Sequence, residues 1–164
     1  MLLEASSVRH TLLGLPMNTE TTRVFPSSFD SLTEMSEFVG RAAQDAGLEP
    51  SAVYAVQMAV DEASSNIIEH AYGGDGDQTI ECTCRVTDDG LTVILRDHGC
   101  PFDPGAVPAP DLEAELQDRC AGGLGIYFIR QLMDRVCFEF SERSGNTLTL
   151  VKRRETPPWP IVPK

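Results

Sequence analysis

Apolar residues recur at helical spacing in the run that begins near Ser51 and ends at Tyr72. The stripe consists of Val53, Val56, Val60, Ala63, Ile67 and Ala71. Such spacing predicts an amphipathic helix. At about 100° per residue, Glu62 and Asn66 lie roughly 40° apart on a second face of this helix. A carboxylate and a carboxamide one turn apart are typical of a solvated polar face, or of an acid/base and metal site.

The remaining pattern predicts a strand and a helix before this run, and strands with one helix after it. Ser27 or Ser28 is a suitable N-cap and Gly47 a suitable C-cap for the first helix. Asp88-Asp89-Gly90 is a strong hairpin signal. The predicted strands are 21–26, 78–86, 91–96, 136–141 and 146–152, and the predicted flanking helices are 29–46 and 126–135.

Three helices and about five strands, mostly in hairpins, indicate an α+β fold. We expect a two-layer α/β sandwich with a mixed, mostly antiparallel sheet and the helices on one face. The domain should span residues 21–154, after a flexible lead at 1–20 and before a proline-rich, extended tail at 155–164. A long loop at 98–121 contains four prolines, with a short helix expected around 112–117.

Composition excludes several classes of function. The net charge of −12 argues against nonspecific nucleic-acid binding. No apolar stretch is long enough to cross a membrane, and the amino terminus lacks the basic lead of a secretory signal. Five cysteines without CxxC spacing favour reduced thiols over a zinc site. We therefore expect a cytoplasmic protein that binds neither membrane nor nucleic acid.

Two glycine-containing stretches are candidates for ligand binding. Asp97-His98-Gly99 ends a predicted strand, where the carboxylate can accept hydrogen bonds from an exocyclic amine. An ordinary strand-ending turn has the same composition. Gly122-Gly123-Leu124-Gly125 opens a predicted helix, whose free N–H groups and positive dipole end suit phosphates. A flexible turn before a helix is the simpler interpretation of that run.

The order of these stretches is more informative than any one of them. Glu62 and Asn66, then Asp97-x-Gly99, a long loop and Gly-Gly-Leu-Gly resemble the N, G1 and G2 boxes of the GHKL (Bergerat fold) ATPases. Residues 97–104, 122–126 and 146–153 are similar to one branch, the bacterial anti-sigma-factor serine kinases. The resemblance covers roughly residues 21–154. Pro101 stands where the wider superfamily often has a glycine.

The resemblance implies roles for the residues that bind ATP and Mg²⁺. Glu62 would be the general base towards an incoming hydroxyl, and Asn66 would coordinate Mg²⁺ that bridges the phosphates. Asp97 would accept the adenine amine, and Gly99 would let the base approach. Thr147 matches the family's threonine that supports the adenine pocket.

The phosphates would be held by the glycine-rich run and by the loop that precedes it. Backbone amides at Gly123, Leu124 and Gly125 would bind the β- and γ-phosphates. The loop from about 100 to 121 would form a lid, and Arg119, its one basic residue, would reach the phosphates. His70 and Tyr72 match the branch after Asn66 and are interpreted as structural, with His70 a minor candidate for a phosphate contact.

The resemblance also implies a function. The chain would be a serine/threonine protein kinase that phosphorylates a small antagonist (anti-anti-sigma) protein, binds a sigma factor and forms a homodimer. One alternative is a regulatory module that binds nucleotide or a protein without phosphorylating it. Another is a detached histidine-kinase catalytic domain, which would need a phosphoacceptor histidine on a preceding helical hairpin. His10 lies in a short lead without room for one.

Overall fold

The computed structural model describes residues 18–101 and 123–155, which form two layers. The first layer is a five-stranded sheet in the order β1-β2-β3-β5-β4. Its strands are β1 (Thr19–Pro26), β2 (Thr79–Thr87), β3 (Gly90–Asp97), β4 (Arg135–Ser141) and β5 (Gly145–Arg153). The second layer contains α1 (Leu32–Asp45), α2 (Pro50–Asn66) and α3 (Gly123–Leu132). This is the α+β sandwich that the sequence predicts.

Short-range signals set the helix ends. The Ser28 hydroxyl accepts a hydrogen bond from the Asp30 N–H at 3.3 Å, and a 3₁₀ turn over Phe29–Ser31 leads from there into α1. Gly47 follows α1 with a φ of +69°, a left-handed conformation that only glycine adopts without strain. Pro50 is the first residue of α2, where its missing N–H costs nothing. The predicted caps of the first helix are confirmed.

A π-helical turn extends α2 over Ile67–Ala71. The Tyr72 N–H donates to the Ile67 carbonyl, five residues back, at 3.0 Å. Hydrophobic periodicity predicts that the helix continues to this point, but it does not predict the wider turn. Such turns are rare and are frequently found at functional sites.

All four strand pairings among the described residues are antiparallel, whereas the sequence predicts a mixed sheet that is mostly antiparallel. The chain passes from β3 through α3 to β4, and a connection of this kind normally joins parallel neighbours. Here β3 and β4 do run in the same direction. However, β5 returns through a hairpin and inserts between them, so no parallel pair forms.

The core lies between the helices and one face of the sheet. In β2 the inward residues are Ile80, Cys82, Cys84 and Val86, each at most 3% exposed, as the alternation predicts. Pairing continues this face across the sheet, because Cys82 lies opposite Leu95 and Leu95 lies opposite Leu148. The outer face carries ion pairs such as Arg96 with Glu81.

Several expectations fall outside the described residues. These are most of the predicted lead, the lid with Arg119 and the short helix at 112–117, and the tail after Glu155. β1 begins at Thr19, two residues inside the predicted lead, because Thr19 and Glu20 pair with Val86 and Arg85. None of the described helices is both long and apolar enough to cross a membrane.

Leu95 tests the central packing of the sheet. Its side chain is fully buried in β3, so Leu95→Ala should lower the free energy of unfolding by about 2–5 kcal/mol. Val24→Ala in β1 is the control, since that side chain is 57% exposed, and it should cost less than about 1 kcal/mol. Urea unfolding of both variants measures the difference. Equal costs would contradict this description of the core.

Candidate functional site

Glu62 and Asn66 project from α2 towards the start of α3. The Asn66 Nδ2 donates to Glu62 Oε1 at 3.4 Å, and both side chains are half-buried. Gly125 packs directly against this pair. A Cβ atom at residue 125 would overlap Glu62 Oε1 and would lie 3.3 Å from Asn66 Nδ2. The absence of a side chain at Gly125 therefore lets the backbone of α3 approach the carboxylate and the carboxamide.

The glycine-rich run contributes the first turn of α3 instead of a loop that precedes it. α3 begins at Gly123, three residues before the predicted start, and ends at Leu132 instead of residue 135. Gly123, Leu124 and Gly125 therefore occupy the positions whose N–H groups have no acceptor within a helix. Gly125 brings this first turn, and with it the positive end of the helix dipole, beside Glu62 and Asn66.

Asp97 is a buried carboxylate held in a fixed orientation. It ends β3 and is 4% exposed. Its Oδ1 accepts hydrogen bonds from the Gly99 N–H at 2.9 Å and from Asn146 Nδ2 at 2.7 Å. Within the described residues Oδ2 has no hydrogen-bond donor. One oxygen is thus engaged by the protein, while the other can accept a hydrogen bond from a ligand.

Gly99 is required where the loop after β3 meets the end of α2. A Cβ atom at residue 99 would lie 2.5 Å from the Ala71 carbonyl oxygen. The Cys100 N–H donates to the same oxygen at 2.8 Å. According to the resemblance, a glycine at residue 99 leaves room for the base to approach. The geometry shows a second requirement, which is close packing of two backbones.

Asn146 is a site residue that the sequence analysis missed. The sequence predicts it only as the first residue of a strand, and the resemblance gives the supporting role to Thr147. Asn146 pairs with Asp97 across β3 and β5, whereas Thr147 pairs with Arg96 and Glu139, whose side chains are exposed. Asn146 Nδ2 also lies 3.3 Å from the carbonyl oxygens of Gly99 and Cys100. Only the β3–β5 register, which local patterns do not give, reveals this contact.

A cavity of about 280 Å³ lies between α2, α3 and the β5 end of the sheet. Of the predicted site residues, Asn66, Asp97 and Thr147 line it. Glu62, Gly99 and Gly125 border it through the contacts described above, and Arg119 lies outside the described residues. Most of the wall is apolar, with Ile67, Ile126, Ile129 and Leu148 among its members. Apolar walls with a few oriented polar groups are typical of a small-molecule site.

The side chains suit Mg²⁺ held mainly by a ligand's phosphates. Asn66 presents an amide to the cavity. The described residues contain no group of three or more His, Cys, Asp or Glu that could bind a metal. Mg²⁺ commonly uses one or two protein oxygens and completes its octahedron with phosphates and water. The donor set fits that mode.

Of the described cysteines, two lie in the core and one, Cys100, lines the cavity. Cys82 and Cys84 are buried in β2. The hydrogen bond with Cys84 and burial both raise the pKa of the Cys82 thiol, so it stays protonated. Cys100 is exposed. The cysteines among the described residues are all free thiols.

The histidine kinase-like ATPase domain family matches residues 25–152. This range includes both layers of the sandwich and every candidate residue. The match covers well over half of the chain. The chain therefore belongs to this family of ATPase domains.

Curated relatives of the chain include bacterial serine-protein kinases and an anti-sigma factor. The chain is 35% identical over 101 residues to the serine-protein kinase RsbW of Halalkalibacterium halodurans, across 59% of this chain and 60% of that protein. It is 31% identical over 111 residues to RsbW of Listeria monocytogenes, across 65% and 71%. It is 26% identical over 98 residues to the anti-sigma F factor of Clostridium novyi, across 60% and 68%. The match to the first of these relatives covers less than two thirds of its length.

Two glycine substitutions distinguish a contact with rigid backbone, at Gly99, from a contact with movable side chains, at Gly125. Gly99→Ala should lower the free energy of unfolding by about 1–3 kcal/mol, because its methyl group meets the Ala71 backbone. Gly125→Ala meets only the movable ends of the Glu62 and Asn66 side chains, and alanine is favoured in a helix. Its stability should stay within about 1 kcal/mol of wild type. Urea unfolding measures both, and the reverse order would show that the two contacts have been misassigned.

Asn146→Asp tests the pairing with Asp97. It places two carboxylates within hydrogen-bond distance, so one of them should have a folded-state pKa above its unfolded value. Destabilisation should be present at neutral pH and should diminish as the pH falls through that raised pKa. Thermal unfolding between pH 4 and 8 measures this. Asn18→Asp is the control at an exposed asparagine, and an equal pH dependence in both variants would exclude the contact.

Proposed function

We propose that this protein is an ATP-dependent serine/threonine protein kinase and anti-sigma factor of a partner-switching system. It acts in the cytoplasm, where ATP is available, and phosphorylates a small antagonist protein. Family membership supports ATP as the ligand. The names of several relatives, serine-protein kinase RsbW and anti-sigma F factor, support the kinase and the anti-sigma roles.

The observation that carries this proposal is the packing of Gly125 against Glu62 and Asn66. Phosphoryl transfer depends on positioning and on neutralisation of charge more than on covalent chemistry by the protein. The start of α3 supplies N–H donors, Asn66 supplies a ligand for Mg²⁺, and Glu62 supplies a base beside them. Mg²⁺, when bound, neutralises charge on the phosphates. Glu62 accepts the proton of the substrate hydroxyl.

The adenine end of the cavity follows the same reasoning. Asp97 Oδ2 accepts the exocyclic amine, because Oδ1 is already engaged by Gly99 and Asn146. The apolar wall formed by residues such as Ile129 and Leu148 covers the faces of the base. A carboxylate fixed in this way favours adenine over guanine, whose corresponding atom is a carbonyl oxygen.

The charge of the protein makes local donors necessary. The chain carries a net charge of −12, and Asp97 and Glu139 are the acids that line the described part of the cavity. His70 also lines it and can add positive charge only when it is protonated. Phosphate binding therefore depends on Mg²⁺ and on the amides of Gly123, Leu124 and Gly125. Arg119 of the lid is proposed to add a further positive charge.

The protein partners are proposed on the names of the relatives and on the resemblance. A sigma factor is proposed as the second partner because one relative is an anti-sigma F factor. A homodimer is proposed from the resemblance alone. Size-exclusion chromatography with light scattering measures the oligomeric state directly, and a monomer at micromolar concentration would contradict the dimer.

Two substitutions test the catalytic proposal. Glu62→Gln should reduce phosphate transfer from ATP to the antagonist protein by roughly 10²–10⁴-fold, with ATP affinity retained, because only the base is lost. Asn66→Ala should weaken ATP binding in Mg²⁺ and should have a smaller effect in EDTA. Transfer of labelled phosphate measures the first variant, and calorimetry measures the binding of ATP to both.

Asp61→Asn is the matched control for Glu62→Gln. It removes the same charge one residue earlier, from a side chain that is exposed and lies about 100° around the helix. Its transfer rate should equal that of wild type. ATP binding without transfer by wild type would favour a regulatory module without kinase activity. The absence of any nucleotide binding would overturn both assignments.

A further inference from the structure

Tyr72 joins three segments behind the candidate adenine site. It follows the π-helical turn, and its ring packs partly buried against the core. Its hydroxyl donates to the Thr79 carbonyl at the start of β2, at 2.8 Å. The same oxygen accepts the His98 N–H at 2.9 Å. One hydroxyl therefore connects the end of α2 with the start of β2 and with the loop that begins at Asp97.

The backbone next to Tyr72 contacts the same loop. The Ala71 carbonyl accepts the Cys100 N–H at 2.8 Å, and Gly99 packs against Ala71 without room for a side chain. The described N–H groups of His98, Gly99 and Cys100 thus all have acceptors. Tyr72 and Ala71 provide two of them, and Asp97 itself provides the third.

We propose that the Tyr72 hydroxyl is a positioning group for adenine recognition, which holds the 97–100 loop so that Asp97 presents its free oxygen to the base. This rests on the proposed function, because it requires that ATP binds at Asp97. Tyr72 lies behind the loop, and the hydroxyl acts on the ligand only through Asp97 and Gly99. The role predicted for Tyr72 is structural, and its two hydrogen bonds assign it this narrower one.

The hydroxyl can hold both hydrogen bonds only while it is protonated. Burial raises the pKa of Tyr72 above its ordinary value, and the charge of Asp97 raises it further, against an opposing effect of the hydrogen bond with His98. Because a raised pKa keeps the phenol neutral, the Tyr72 hydroxyl keeps the proton with which it hydrogen-bonds to the Thr79 carbonyl throughout the neutral pH range. The two hydrogen bonds of the Tyr72 hydroxyl are therefore independent of pH under physiological conditions.

Tyr72→Phe removes the hydroxyl and keeps the ring. Both hydrogen bonds lie where water can replace them, so the variant should fold. ATP affinity should fall roughly three- to tenfold, the loss expected when hydrogen bonds that orient a site are removed. Inorganic tripolyphosphate, which has no base, should bind the variant and wild type equally. Calorimetry in Mg²⁺ measures both ligands.

Turnover adds a second readout that a general loss of stability would not produce. Lost positioning of the base should raise KM for ATP by a similar factor and leave kcat unchanged at saturating ATP. The control is Tyr54→Phe, which removes the hydroxyl of a tyrosine 62% exposed on α2, and it should leave both constants unchanged. Amide hydrogen exchange should be faster at His98 in Tyr72→Phe and unchanged in Tyr54→Phe.

The possible outcomes distinguish this inference from the proposed function. If wild type binds no ATP, the proposed function fails and the inference fails with it. If wild type binds ATP and Tyr72→Phe binds it equally well, only the inference is overturned. Equal weakening of ATP and tripolyphosphate, or failure of the variant to fold, would show that the hydroxyl supports the domain as a whole, and would also overturn it.

Discussion

The packing of α2 between α1, α3 and the inner face of the sheet is the constraint on which the rest of the structure depends. The apolar stripe of this helix, from Val53 to Ile67, is buried in the common core. Burial of this stripe is the main source of stabilisation for the helix layer, and it fixes the rotation of α2 about its axis. With this rotation, the side chains of Glu62 and Asn66 point towards the start of α3.

The site is assembled where the ends of several elements meet. α2 is extended by a π-helical turn that ends at Ala71, β3 ends at Asp97, the second residue of β5, Asn146, lies opposite Asp97, and α3 begins at Gly123. Ends of helices and strands carry backbone groups without partners in their own element. Here several of those groups bond to one another or face the cavity. Gly99 and Gly125 allow the backbones to come close enough for this to happen.

Local signals accounted for most of the fold. The sequence predicted the caps at Ser28 and Gly47, the turn at Asp88–Gly90 and the alternation of β2, because each depends on residues only a few positions apart. The α+β sandwich and the family followed from the order of the motifs. A mostly antiparallel sheet was predicted as well, but not that all four described pairings would be antiparallel, since the insertion of β5 between β3 and β4 is a matter of topology, which those signals do not encode.

The sequence by itself determined which elements form, where most of them end and which residues carry candidate chemistry. Tertiary structure alone decided how those residues meet. The β3–β5 register placed Asn146 on Asp97, although 49 positions separate them in the chain. Gly123 to Gly125 form the first turn of α3, and the Tyr72 hydroxyl accepts a hydrogen bond from the His98 N–H. The physical reason is that these contacts are set by packing between distant segments, and no local pattern of hydrophobic and polar residues specifies that packing.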